Sequence, residues 1–172
     1  MTSATSSNAA IRDAATRVLD ACRARRLKVA SAESCTGGLV AGALTEIPGS
    51  SDVFDWGFVT YSNAAKQGML GVAAVILERH GAVSRETAEA MADGALAVSK
   101  ADLAVAVTGI AGPGGGSPQK PVGLVHFAAA ARDGTRLNRE KRYGDIGRSR
   151  VRKEAVAEAL AILEQLAAAT SA

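Results

Sequence analysis

Apolar residues recur at spacings of three and four through Ile11, Ala14, Ala15, Val18, Leu19 and Cys22, which predicts an amphipathic helix over residues 9–25. Residues 27–31 follow as a short buried strand. After Ser34-Cys35-Thr36-Gly37-Gly38, residues 39–45 continue as a helix until Pro48-Gly49 forces a turn. Residues 53–61 are rich in aromatic and β-branched side chains and read as a strand. Asn63 is the expected N-cap of a short helix that carries Lys66 and Met69. Residues 73–79 give another short helix, closed by His80-Gly81. Ser84 opens a longer one over 85–100, with Glu86 and Glu89 in the early turns where negative charge suits the helix dipole. Residues 102–107, mostly Ala, Leu and Val, have the character of a fully buried strand.

A Gly/Pro loop over 108–116 comes next, then a strand over 122–131 and another over 136–143. Asp133-Gly134 between them is a hairpin signature. Val151, Ala155, Ala159, Leu160, Leu163 and Leu166 mark a long last helix. Strands that alternate with helices predict an α/β fold with helices on both faces of the sheet, and the hairpin makes that sheet mixed. Residues 1–8 (MTSATSSN) are small and polar and are expected to form a loose tail; 9–172 is the length of one domain.

Composition narrows the setting. Hydrophobic residues make up 48% and charged residues 22%, ordinary for a globular protein, while aromatics are only 3%. Much of the apolar content is Ala, which favours close packing of helices on a sheet. The two cysteines, Cys22 and Cys35, give no disulfide framework and fit a reducing compartment. The longest apolar run, 72–77, is far below the ~20 residues of a membrane helix. No signal-peptide pattern opens the chain, so a cytoplasmic protein is expected. The net charge of +3 is modest. The basic clusters near Arg23, Arg139 and Arg148 lack the interleaved aromatics of a single-strand binder, so neither nucleic acid nor membrane is expected as a partner.

Four segments could carry chemistry. Ser34, with Cys35, Thr36, Gly37 and Gly38, lies between a strand and a helix, where backbone N–H groups could hold an anion or an oxyanion; equally, Ser34 could simply cap the helix. A nucleophilic serine needs a base. His80 and His126, the only histidines, read as structural, and the nucleophile-elbow pattern is absent. Lys66 and Tyr61 remain. A free lysine titrates near ~10.4, so Lys66 would need desolvation or a neighbouring cation to act as base, and on its own it reads equally as a solvated surface residue. The loop with Thr108, Gly109 and Gly112 is either a backbone cradle for an anion or an exposed connection; it is neither a P-loop nor a dinucleotide fingerprint. Arg148, Arg150, Arg152 and Lys153 crowd the start of the last helix, where the dipole disfavours them; a bound phosphate would explain this, as would acidic neighbours such as Asp145 and Glu154. No metal-ligand spacing occurs, so no catalytic metal and no cofactor are expected.

Taken together, these strings resemble the CinA C-terminal family: Glu33-Ser34-Cys35-Thr36-Gly37-Gly38, Pro48-Gly49-Ser50-Ser51, Val59-Thr60-Tyr61-Ser62-Asn63 with Lys66, Gly81-Ala82-Val83-Ser84, Thr108-Gly109-Ile110-Ala111-Gly112-Pro113 and Lys120-Pro121-Val122-Gly123. The resemblance implies a three-layer α/β/α sandwich that commonly self-associates as a homo-oligomer. It implies a nicotinamide-nucleotide amidohydrolase that converts nicotinamide mononucleotide to nicotinic acid mononucleotide and ammonia. Ser34 would be the nucleophile, assisted by Tyr61 and Lys66. Cys35, Thr36 and Gly37 would bind around the reacting carbonyl, and Thr108, Gly109, Gly112 and Arg148 would hold the pyridine nucleotide. Members often carry Gly-(Asp/Asn)-Arg before the last helix and a second arginine four residues on. Here Gly147 directly precedes Arg148 while Gly144-Asp145 lies earlier, so Arg148 and Arg152 both remain open as the phosphate contact. A non-catalytic, competence-type nucleotide-binding module is the alternative from another class.

Overall fold

The structure is a computed structural model that describes residues 6–170. Its centre is a five-stranded sheet in the order β2-β1-β3-β4-β5. Strand β1 (Val29–Glu33) runs parallel to both β2 (Phe54–Val59) and β3 (Leu103–Gly109). Strand β4 (Leu124–Ala131) runs antiparallel to β3, and β5 (Arg136–Arg142) antiparallel to β4 across the expected hairpin. The sheet is mixed, with helices on both faces.

One face packs on α1 (Asn8–Ala24), α2 (Leu39–Thr45) and α6 (Arg148–Ala169); the other packs on α3 (Asn63–Leu70), α4 (Ala74–His80) and α5 (Arg85–Val98). Strand alternation sorts the side chains by size. Val29, Leu103, Val105, Val107, Val125 and Phe127 point to the first face, and Ala30, Ala32, Ala104, Ala106, Ala128 and Ala130 to the second. A period-2 pattern was thus present in residues 102–107 all along, concealed because both its phases are apolar.

Local chemistry moves several boundaries from those expected. Strand β1 begins and ends two residues later than read, because the Glu33 carboxylate finds backbone N–H partners that let it stay in the buried strand. Strand β2 stops at Val59, which leaves Tyr61 beyond its end. Ser62, not Asn63, caps α3: its Oγ accepts from Ala65 N at 3.0 Å, and Asn63 is the first helical residue. Helix α1 starts at Asn8 with Ser7 as its cap. Of the tail expected over 1–8, residues 1–5 lie outside the described residues. Among the described residues, no helix is long and apolar enough to cross a membrane.

Candidate active site

Strand β1 lies between two parallel neighbours, and the chain leaves it for β2 on one side and β3 on the other. Such a switch point opens a crevice at the carboxyl ends of the strands. Three hydroxyl residues stand there side by side. Thr60 N donates to Glu33 O at 2.8 Å, and Ser34 N donates to Val107 O at 2.9 Å, so Ser34 sits between Thr60 and Thr108.

Alternation along β1 decides where the next two side chains go. Glu33 follows Val29 and Ser31 toward the α2 face, whereas Ser34 follows Ala30 and Ala32 toward the α3 face. On that side Lys66 descends from α3. Its side chain is fully buried, and its Nζ lies 3.1 Å from Ser34 Oγ and 2.8 Å from the carbonyl oxygen of Thr60. Burial pushes the Lys66 amine below the usual lysine range, because removing water penalises its charged form. Lys66 Nζ is the donor in both contacts; with its extra proton lost, the amine can keep one hydrogen on Thr60 O and turn its lone pair to the Ser34 hydroxyl.

Ser34 does not begin a helix. Residues 34–37 form a turn, closed by a hydrogen bond from Gly37 N to Ser34 O at 3.0 Å, and α2 starts only after Gly38. The helix N-terminus that looked ready for a ligand anion is already filled. The Glu33 carboxylate accepts from Gly38 N, Val40 N and Ala41 N at 3.0, 3.0 and 2.8 Å. Sequence reasoning missed this role of Glu33. The available signal was its phase, which aims the carboxylate at α2.

The pocket over Ser34 has a volume of about 260 Å³. Ser34, Cys35, Lys66 and Tyr61 line it from the β1 and β2 side, Ala82 and Val83 from the α4–α5 connection, and the Gly/Pro loop from Thr108 onward. Arg148 closes the ring. Thr36 and Gly37 do not line it; Thr36 is fully buried. The Thr108 hydroxyl is committed to Ala82 O at 2.6 Å, so its side chain fixes the wall instead of reaching inward. Gly109 and Gly112 do border the space. Arg148 brings a positive charge to the pocket beside the Lys66 amine, and among the described residues no carboxylate lines it, which suits an anionic ligand.

Tyr61 is 61% exposed, and its hydroxyl accepts from Arg148 Nη2 at 3.0 Å, so it meets Arg148 and not Ser34 or Lys66. Arg148 also donates to Gly112 O at 3.0 Å, so it ties the Tyr61 segment to the Gly/Pro loop. Arg152, one turn later, donates instead to Cys35 O and Thr36 O, each at 3.1 Å, and does not line this pocket. Of the two arginines, Arg148 faces the pocket over Ser34. Carbonyl and hydroxyl oxygens accept from both arginines among the described residues. Cys35 is a buried free thiol whose pKa is pushed up to about 12 by desolvation. Burial therefore disfavours the thiolate, the nucleophilic form of a cysteine.

Residues 11–167 match the family model described as the CinA C-terminal domain. A protein named nicotinamide-nucleotide amidohydrolase PncC from Pseudomonas putida is 51% identical over 152 residues, covering 88% of this chain and 94% of its own length. A CinA-like protein from Synechococcus sp. (strain RCC307) is 54% identical over 147 residues, or 85% of this chain. The chain spans only about a third of the length of that relative, 35%. Among solved structures, competence/damage inducible protein CihA from Agrobacterium tumefaciens superposes with a TM-score of 0.90 at 57% identity, covering 95% of this chain and 98% of the other. A CinA superfamily protein from Klebsiella pneumoniae gives 0.88 at 37% identity, with 93% and 99% coverage.

Proposed function

The chain belongs to the CinA C-terminal domain family, and from that premise we propose that it is a serine-dependent amidohydrolase that removes the carboxamide nitrogen of nicotinamide mononucleotide. The similarity to a nicotinamide-nucleotide amidohydrolase, which spans nearly the whole of both proteins, supports the substrate class. The observation that carries the mechanism is the fully buried Lys66 amine 3.1 Å from Ser34 Oγ.

Neutral Lys66 takes the Ser34 proton as Oγ bonds to the carboxamide carbon. The charge that develops on the carbonyl oxygen meets the backbone N–H of Cys35, a residue that borders the pocket and donates in no backbone hydrogen bond among the described residues. The C–N bond then breaks, Lys66 returns its proton to the departing nitrogen, and ammonia leaves an ester on Ser34. Water gives a proton to Lys66 and attacks that ester; Ser34 recovers its hydrogen and nicotinic acid mononucleotide is released. General-base help of this kind is typically worth ~10²–10⁴ in rate. Arg148 receives the phosphate, with the Gly/Pro loop beside it, and Tyr61 serves that end of the pocket by orienting Arg148. The self-association that the family implies has a ready surface in Trp56 and Val59, both exposed on edge strand β2.

Incubation of the purified protein with nicotinamide mononucleotide should release ammonia, and Ser34→Ala should abolish it. Absence of ammonia from folded protein rejects the substrate, and activity in Ser34→Ala rejects the nucleophile. Similarity to competence/damage inducible proteins keeps the binding-module reading in play; it requires that the nucleotide raise the melting temperature without forming product.

A further inference from the structure

Two charged side chains outside the pocket grip the turn that carries Ser34. Glu33, 1% exposed, holds three N–H groups on its far side, those of Gly38, Val40 and Ala41, and takes a longer contact from Ser31 Oγ at 3.3 Å. Arg152 holds two carbonyl oxygens of the turn itself, those of Cys35 and Thr36. An anion fixes the donors, a cation fixes the acceptors, and the reacting residue lies between them. Both contacts are charge-assisted, the stronger class of hydrogen bond.

We propose that Glu33 and Arg152 are positioning residues that set Ser34 and the neighbouring amide groups for reaction, an inference that rests on Ser34 being the nucleophile. The N–H and C=O of a trans peptide unit point in opposite directions. Drawing Cys35 O and Thr36 O to the guanidinium therefore turns the N–H groups of Thr36 and Gly37 away from it. Gly37 N–H is consumed by Ser34 O, which keeps the turn closed. Thr36 N–H is turned from the guanidinium and donates in no backbone hydrogen bond among the described residues. Gly37 makes this close approach feasible: its φ is +59°, and a Cβ there would lie 3.3 Å from Arg152 Nη2. Because Glu33 is adjacent to Ser34 and faces the opposite side of the sheet, its three bonds leave the strand no freedom to rotate the serine out of line with Lys66. A lysine in place of Arg152 carries the charge but not the planar fork that spans two carbonyls.

Two readouts test this on the full chain with Glu33→Gln and Arg152→Lys. The first is steady-state ammonia release from nicotinamide mononucleotide across pH. The second is the rate at which a fluorophosphonate labels Ser34, a step in which the Oγ–P bond forms, fluoride leaves and the hydroxyl proton passes to Lys66. Misplacement of the reacting atoms should slow labelling and kcat together, on the order of 10²-fold. KM should move little, and the acid limb of the pH profile should stay where it is, because Lys66 keeps both its partners. A residue that merely stabilises the fold would lower the melting temperature and leave the folded fraction labelling at the normal rate; that result in either folded variant overturns the proposal for that residue. If Glu33→Gln fails to fold, Arg152→Lys decides the proposal alone. Wild-type protein that is labelled at Ser34 yet releases no ammonia defeats the amidase reading but not this inference. Wild-type protein that is never labelled at Ser34 defeats the inference.

Discussion

The two faces of the sheet are made from the same strands and yet do different work. Toward α1 and α6 the strands present Val29, Leu103, Val105, Val107 and Phe127, against Val18, Leu19, Leu160, Ile162, Leu163 and Leu166. Toward α5 the same strands present alanine, met by Ala88, Met91, Ala92 and Ala95. The first face buries large side chains and supplies most of the hydrophobic stabilisation. The second lets helices approach closely, and in that tight, dry layer lies the fully buried amine of Lys66. Desolvating an ammonium is costly, and it favours the neutral amine, the form that the proposed mechanism needs as proton acceptor. Large buried side chains gather on one face, and the proposed site opens on the other.

The sharpest way to break this contrast is Lys66→Met, which keeps length and apolar stem but removes the base. It should lower kcat by on the order of 10³-fold while far-UV circular dichroism stays unchanged. Next is a pair of substitutions, one per face. Leu163→Ala should cost about 2–5 kcal/mol in denaturant unfolding and leave kcat of the folded protein as it was. Gly94→Ala should touch both quantities. Its new Cβ would lie 2.0 Å from the backbone oxygen of Leu70, one turn along α3 from Lys66. Displacing that backbone should cost at least ~3 kcal/mol and also lower kcat of the folded protein by roughly ten- to a hundredfold.

Proton linkage comes third. Folding lowers the Lys66 pKa from its ordinary 10.5, so the unfolded chain binds more protons in that window. Stability should therefore rise with pH from the depressed value up to 10.5, and it should lack this contribution below the window. Activity should rise through the same depressed value as the amine loses its proton, and Lys66→Met should flatten the Lys66 part of the stability slope. The smallest effect belongs to Cys35→Ala. Its thiol is buried and protonated, so kcat should change by no more than about twofold, roughly 0.4 kcal/mol.

Much of this was legible in the chain. Periodicity located the helices α1 and α6, the Ser84 cap and early acidic residues located α5, the hairpin signature gave the antiparallel edge, and Ser34, Lys66 and the Gly/Pro loop stood out as residue types that suit the chemistry. Two features were not legible. The strand was expected to end before Glu33, whose buried carboxylate accepts from three N–H groups. Arg148 and Arg152 share a spacing, so sequence alone could not separate the one that faces the pocket from the one that holds the turn.

What the order of residues determined by itself was local: which stretches form helices or strands, which phase of each strand is large or small, and which glycines allow a tight turn. These follow from short-range sterics and burial, and they need only neighbours in the chain. What only the tertiary structure decided was partnership. Ser34 directly follows β1 and Lys66 lies on α3, with α2 and β2 between them in the chain, and their meeting depends on β1 lying between β2 and β3 with Ser34 on the alanine-lined face. The shift of the Lys66 amine likewise belongs to no residue alone, because desolvation is a property of everything packed around it.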